Sequence, residues 1–566
     1  MDQQHGRIEV PMRIKIGCAL MLAATLSASQ PEHARHAMVG TQEPLAADVG
    51  LRVLQSGGNA IDAAVAIGFA LAVTYPFAGN IGGGGFLLAH FADGRSTFID
   101  FREKAPLAAT RNMYLDSKGS VSEDSVVGWR AAGVPGTVRG LELAHSKYGR
   151  KPWAELLNPA VELASEGYPV SYSLDASLHG EGTTRLLSRF PESKRIFLSA
   201  HYGDKFVQPE LAATLQRIRD RGASDFYDGE TARKLAAAMA ANGGLITLAD
   251  LKAYQAEESE PRRGHYRGYE IVTAPPPSAG GVGLLQMLGM LEGSGYEKTG
   301  AGSAASIHYV AEVMRRFYAD RSEYFGDPDF YKVPISKLLD PKYIASRRDS
   351  IDPLHATPST QIRPGHIGVR EGSETTHFNI VDSEGNAVAV TYTLNNGYGS
   401  GVTAPGLGFL LNDEMDDFAS KPGTENLFHL IQGESNAIQP GKQPVSSMTP
   451  TIVLRDGKLF LMLGAPGGSR IINGVLQVIL NVVDFHMNVQ DAVDWPRFHH
   501  QWMPDVLYVE KGISPDTVQL LRGMGHNVSP LESTAQVVAR VEAILNDGGW
   551  LQGATDPRGN GKAEGY

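Results

Sequence analysis

The sequence predicts a layered α/β fold of the α+β kind, with antiparallel strands beside helical layers. Residues 377–381 and 387–394 are rich in strand-forming residues and flank the turn signal Ser383-Glu384-Gly385-Asn386. Residues 451–454 and 459–463 repeat the pattern around Arg455-Asp456-Gly457-Lys458. Long stretches elsewhere carry apolar residues at helical spacing. Hairpins beside helical regions favour sheets with helices packed on them.

The elements follow in chain order. Residues 45–73 read as two helices joined by Ser56-Gly57-Gly58-Asn59, the second starting near Asn59. The run Gly79-Asn80-Ile81-Gly82-Gly83-Gly84-Gly85 lacks the Lys-Ser/Thr of a phosphate loop and fits close backbone packing better. Residues 86–90 and 96–101 form a hairpin around Asp93-Gly94. Helical periodicity fills much of 152–322, notably Trp153–Glu166, 210–221 and 304–321. Ala274-Pro275-Pro276-Pro277-Ser278 is a loop or extended segment. Residues 340–374 are polar and weakly periodic, as expected of a mobile surface segment. Residues 471–483 and 514–524 read as helices.

Composition narrows the function classes. The 566 residues carry 51 Lys+Arg and 62 Asp+Glu, a net charge of −11, which argues against a nucleic-acid partner. Residues 12–29 have the order of a secretory signal: Arg13 and Lys15, an apolar run from Ile16 to Leu26, then Ser27-Ala28-Ser29. Met12 is a candidate start. The single cysteine, Cys18, falls within that signal. A mature chain without cysteine has no disulfide, thiolate-bound metal or catalytic thiol. No later apolar run is long enough for a membrane helix, so no membrane anchor is expected once the signal is removed.

The first hairpin has a readable register. With the turn centred on Glu384-Gly385, paired residue numbers sum to about 768 or 769. Thr375 then faces Thr393 or Leu394, with Asn395 just beyond, and cross-strand Cβ atoms stand about 4.5–5.5 Å apart. Two hydroxyls side by side are a candidate catalytic pair, although threonine also simply favours strands. The acid run Asn412-Asp413-Glu414-Met415-Asp416-Asp417 reads on composition as a solvated loop or cap. Gly464-Ala465-Pro466-Gly467-Gly468-Ser469-Arg470 joins a strand to a helix, a place for N–H groups to hold an oxyanion or for a plain turn. His499-His500 lacks the spaced partners of a metal site.

These pieces in this order resemble the gamma-glutamyltranspeptidases, members of the N-terminal nucleophile hydrolases. The matching motifs are Gly57-Gly58-Asn59-Ala60, Asn80-Ile81-Gly82-Gly83-Gly84-Gly85-Phe86, Asp100-Phe101-Arg102-Glu103, Thr375-Thr376-His377 and Thr391-Tyr392-Thr393-Leu394-Asn395. The acid run, Pro444-Val445-Ser446-Ser447-Met448 and Pro466-Gly467-Gly468-Ser469 match as well. The likeness runs from about Ala37 to Tyr566. It implies a four-layer αββα sandwich of two stacked, mainly antiparallel sheets, shared by two subunits cut from one precursor. Residues 1–29 would be the signal peptide, 30–374 the large subunit and 375–566 the small subunit of 192 residues.

The resemblance also implies roles. The precursor cuts itself between Glu374 and Thr375, and Thr375 becomes the nucleophile. Thr393 hydrogen-bonds it, and Gly467 and Gly468 donate to the oxyanion. Arg102, Ser446 and Ser447 hold a substrate α-carboxylate, while Asn395, Glu414 and Asp417 surround an α-ammonium. The implied substrates are γ-glutamyl compounds such as glutathione, with water, amino acids or dipeptides as acceptors, and no cofactor or metal. A related glutaryl or cephalosporin acylase and a non-catalytic periplasmic binding protein are the alternatives. Residues 421–433 resemble the family's pocket lid, with Phe428 where many bacterial members carry a tyrosine. Asn396-Gly397-Tyr398 also departs from the usual pattern.

Overall fold

Strand and helix boundaries follow the residue patterns closely. The computed structural model describes residues 30–363, 374–421, 433–531 and 537–566. The expected signal segment, residues 364–373 and Phe428 lie outside the described residues. Asn59 caps the helix Ala60–Thr74: its side chain accepts from the Asp62 N–H while Asp62 accepts from the Asn59 N–H, each at 2.9 Å. This reciprocal cap satisfies N–H groups that a helix start leaves unpaired. All 15 residues of that helix are buried, as its almost wholly apolar sequence requires.

Two seven-stranded antiparallel sheets form the centre. The first runs Lys562–Gly565, Met38–Thr41, Glu374–Val381, Ala387–Asn395, Gly84–His90, Ser96–Phe101 and Glu257–Ser259. The second runs Glu32–Ala34, Trp550–Ala554, Glu542–Asp547, Lys458–Gly464, Thr451–Arg455, Tyr269–Thr273 and Arg262–Tyr266. The sheets stack face to face. Helices Pro44–Gln55, Ala60–Thr74 and Thr137–Tyr148 cover the outer face of the first, with Trp153–Glu166 packed behind them. Ala279–Leu291 and Arg470–Val483 cover the second. The result is the αββα sandwich that the family resemblance implied.

Side-chain alternation sorts the two cores. Leu87, Ala89, Val388 and Val390 join the helix-side cluster, while Phe86, Leu88, Ala387 and Ala389 join the cluster facing the second sheet. Strands buried on both faces read as continuous apolar runs rather than alternating ones. The glycine run serves close packing. A Cβ on Gly82, Gly83, Gly84 or Gly85 would lie 2.0–2.4 Å from the carbonyl oxygens of Leu410, Thr393, Phe101 and Thr391 respectively.

The region of helical periodicity also supplies strands, and a segment expected to be mobile is ordered in part. Residues 262–273 contain the hairpin Arg262–Tyr266 and Tyr269–Thr273, because the second sheet recruits them as its edge. The polar segment from residue 340, expected to be mobile, begins with helix Pro341–Asp349, whose N–H groups Asp340 caps at 2.8 and 3.1 Å. Its continuation is tied down by polar side chains: Ser359 N–H donates to Asp505 at 2.8 Å, and Trp502 Nε1 donates to the Ser359 and Ile362 carbonyls at 2.9 and 3.0 Å.

Candidate active site

The hairpin pairs as its numbers predicted. From Thr376↔Tyr392 to Val381↔Ala387 the sums are 768, and at Glu374↔Asn395 the sum is 769. The shift is a bulge that sets Thr375 against Thr393 and Leu394. Bulges re-aim side chains and recur beside active sites. Thr375 is 4% exposed and Thr393 2%. Thr393 Oγ1 accepts the Asn395 N–H at 2.8 Å, and a hydroxyl that accepts still has its own proton to donate. Asn395 sits at φ 76°, a left-handed conformation that Asn tolerates, and its Nδ2 donates to the Asp413 carbonyl at 3.1 Å.

Neighbouring strands bring the other groups to the same sheet end. Thr393 pairs with Gly84, and Gly85 pairs with Phe101, the residue before Arg102. The second sheet arrives from across the sandwich. His377 lies two residues past Thr375, and a Cβ on Gly464 would fall 2.3 Å from its ring. Three residues beyond Gly464 the chain turns at Gly467 (φ 139°) and Gly468 (φ 57°) into helix Arg470–Val483. Their carbonyls close the turn, accepting from Arg470 and Ile471 at 3.1 and 3.0 Å. A Cβ on Gly467 would come within 2.8 Å of Ala539 Cα, so both space and backbone angle require glycine.

The acid run is not a solvated loop. Glu414–Asp417 is a buried 3-10 turn. Asn412 anchors it, accepting the Glu414 and Gly133 N–H groups at 3.0 and 2.8 Å and donating to the Gly82 and Gly133 carbonyls at 2.8 and 2.9 Å. Asp413 accepts the Asn396 N–H at 2.9 Å, and Asp416 accepts from Ser125 at 2.7 Å. Arg102, also buried, donates to Glu414, to Asp417 at 2.5 Å and to the Val445 carbonyl at 3.0 Å. Glu103 stands 3.7 Å from the same guanidinium.

This guanidinium therefore faces several buried acids. Burial pushes the Glu414 carboxyl well above its ordinary range, with Arg102 opposing and Glu103, Asp417 and Asp413 adding to the rise. Burial likewise raises Glu103 to about 7 against the pull of Arg102. Burial raises Asp413 as well, opposed by its bonds to Asn396. An acid excess held out of water favours either a proton or an incoming cation.

Ser446 and Ser447 follow the two residues whose carbonyls Arg102 contacts, Pro444 and Val445. Ser446 bridges to Ser278: its N–H donates to the Pro277 carbonyl at 3.0 Å, and its own carbonyl accepts from Ala279 at 2.7 Å. Ser447 Oγ accepts from Arg321 at 3.2 Å. Arg321 and Tyr318, which donates to the Ser469 carbonyl, were missed in the sequence. Both lie on helix Ala304–Tyr324, and a wholly buried polar face is invisible to hydrophobic periodicity. His499 and His500 are satisfied core histidines. His499 meets Asn473 and Gln501 at 2.7 and 2.9 Å, and His500 meets Asp505 at 3.2 Å.

The chain matches the family described as Gamma-glutamyltranspeptidase over residues 46–566. It is 48% identical to a glutathione hydrolase proenzyme of Pseudomonas sp. (strain A14), covering 97% of this chain and 98% of that one. Identity to the Escherichia coli (strain K12) glutathione hydrolase proenzyme is 47%, over 93% and 91% of the two chains. Among solved structures, a cephalosporin acylase from Bacillus halodurans superposes with a TM-score of 0.82 at 27% identity, covering 95% and 97%.

Proposed function

This chain belongs to the gamma-glutamyltranspeptidase family, and on that premise we propose a chemical role for each residue of the site. It is an enzyme, a γ-glutamyltransferase and glutathione hydrolase made as a proenzyme on the N-terminal nucleophile hydrolase fold. Residues 1–29 direct export to the periplasm, 30–374 form the large subunit and 375–566 the small one.

In the precursor the Thr375 hydroxyl attacks the Glu374 carbonyl, and the acyl group moves from nitrogen to oxygen. Water hydrolyses that ester, freeing the Glu374 carboxylate and the Thr375 α-amine. An α-amine has a reference pKa of about 7.7–8.0, so part of it is neutral near pH 7 and serves as base for its own hydroxyl. Thr375 then attacks the γ-carbonyl of the substrate, with Thr393 orienting the hydroxyl. Gly467 and Gly468 N–H groups receive the oxyanion. The amine departs, cysteinylglycine in the case of glutathione, and leaves a γ-glutamyl ester on Thr375. Water, an amino acid or a dipeptide takes the glutamyl group.

The observation that carries this reading is the buried meeting of one guanidinium with Glu414 and Asp417 at the sheet end that holds Thr375. Arg102 offers a planar fork to an α-carboxylate, aided by Ser446 and Ser447. Glu414, Asp417 and Asn395 offer acceptors to an α-ammonium. A γ-glutamyl head carries both charges and replaces each internal partner with one of its own. A glutaryl group has no ammonium and leaves the acids facing a neutral chain, which is costly in a buried site. The likeness to a cephalosporin acylase makes this the reading to exclude.

The test is an intact-mass spectrum of purified protein assayed on γ-glutamyl- and glutaryl-p-nitroanilide. Two chains, the smaller of 192 residues beginning at Thr375, and a preference for the γ-glutamyl substrate are expected. A single uncut chain in active protein, or a preference for glutaryl, overturns the proposal.

A further inference from the structure

We propose that Asp175, His179 and His201 form a binding site for a divalent metal ion of the zinc class, outside the residues assigned to the reaction. Helix Tyr172–Leu178 starts at Ser171, whose hydroxyl accepts the Leu174 N–H at 3.1 Å. Asp175 and His179 lie four residues apart and so share a face of that helical turn. His201 comes from a loop whose N–H groups tie it to Asp175, to Val170 just before the helix, and to itself. Tyr202 N–H donates to Asp175 Oδ1 at 3.1 Å, Gly203 N–H to the Val170 carbonyl at 3.0 Å, and His201 N–H to Asp204 at 3.0 Å.

The side chains already converge. Asp175 Oδ1 stands 3.1 Å from His179 Nδ1 and 3.9 Å from His201 Nδ1. One ligand atom from each residue lies within 4.8 Å of the others. Ligands about 2.1 Å from a tetrahedral ion stand roughly 3.4 Å apart, so the trio needs only a small closure. The imidazoles now stack, with centroids 4.4 Å apart and planes 13° from parallel. A shared ion requires one ring to turn, and His201, with its side chain 64% exposed, has room to do so. His179 Nδ1, the nitrogen that faces Asp175, also lies 3.1 Å from the Asp175 carbonyl, a contact it gives up when it binds an ion.

The chemistry selects the ion. Two imidazoles, one carboxylate and a position open to water suit Zn²⁺, with Cu²⁺ and Ni²⁺ as competitors, whereas Mg²⁺ and Ca²⁺ prefer oxygen throughout. A second trio, His308, Glu312 and His526, is a poorer candidate. Arg315 and Arg316 stand 3.5 and 2.7 Å from Glu312, and their charges oppose a cation.

The test uses the full processed enzyme, stripped with chelator and titrated with ZnCl₂ by calorimetry and by thermal melting. One Zn²⁺ per chain is expected, with a rise in Tm that MgCl₂ does not reproduce. H201Q and H179Q should each weaken zinc binding by roughly tenfold or more while metal-free turnover of γ-glutamyl-p-nitroanilide stays at the wild-type level. Absence of stoichiometric zinc binding, or binding in H201Q equal to wild type, overturns the site. Neither outcome bears on the Thr375 chemistry.

Discussion

Thr375 and Thr393 stand 18 residues apart on one hairpin, whereas Arg102 meets Glu414 and Asp417 across 312 and 315 residues of chain. The first pair is neutral and placed by backbone ladder bonds. The second is charged and placed by packing of distant segments. Hydroxyls cost little to bury once bonded, whereas an ion pair out of water survives only with partners on every side. The proposed nucleophile and the proposed recognition site are thus separate constructions on one sheet end, and they should fail separately.

Thr375→Ala should have the largest effect. The chain stays uncut by intact mass, and turnover falls by about 10⁴ or more, because attack and internal base are lost together. An active Thr375→Ala enzyme would break the nucleophile half of the comparison. Arg102→Ala should still be cut, yet lose charge-assisted bonds worth about 1.5–3 kcal/mol, a rise in KM of roughly 10–150-fold. Arg102→Lys should restore little, since a point charge cannot reproduce the fork. If Arg102→Ala stays uncut, the two constructions are one. Thr393→Val keeps the strand but removes one hydroxyl; cutting and turnover should each slow by up to about tenfold, measured by the time course of chain appearance.

The smallest effect concerns pH. Burial raises Asp100 to about 7, opposed by its bond from the Arg102 N–H. The unfolded chain releases that proton near the reference value of about 3.9. Between these values the unfolded state binds fewer protons, so this group makes the fold less stable as pH rises from about 4 to about 7. Asp100→Asn does not titrate. Its Tm should gain on wild type across that interval by a few degrees and hold constant above it. A gap that shrinks with rising pH would contradict a buried, protonated Asp100.

Local chemistry made much of this legible in the sequence. The turn at Glu384-Gly385 set the register, and with it the Thr375–Thr393 pairing. The Asn59 cap, the hairpin at Asp93-Gly94 and the crowded glycines 82–85 were equally plain, because each depends on residues close by in the chain or on the absence of a Cβ. Strand partners distant in the chain were not. Glu542–Asp547 pairs with Lys458–Gly464, a strand far off in the chain. Nor was the depth of Asp413, Glu414, Asp416 and Asp417, since on composition an acid run looks solvated.

The sequence by itself determined the hairpin that carries Thr375 and Thr393, the two-helix start and the turn glycines, because steric rules and cross-strand spacing act within a few residues. Only the tertiary structure decided that Arg102 pairs with Glu414 and Asp417, that Arg321 backs Ser447, and that Gly464, three residues before the turn at Gly467, packs on the His377 ring of the other sheet. Those contacts depend on how two sheets stack and on which charges packing removes from water. Neither quantity is a property of any short stretch of chain.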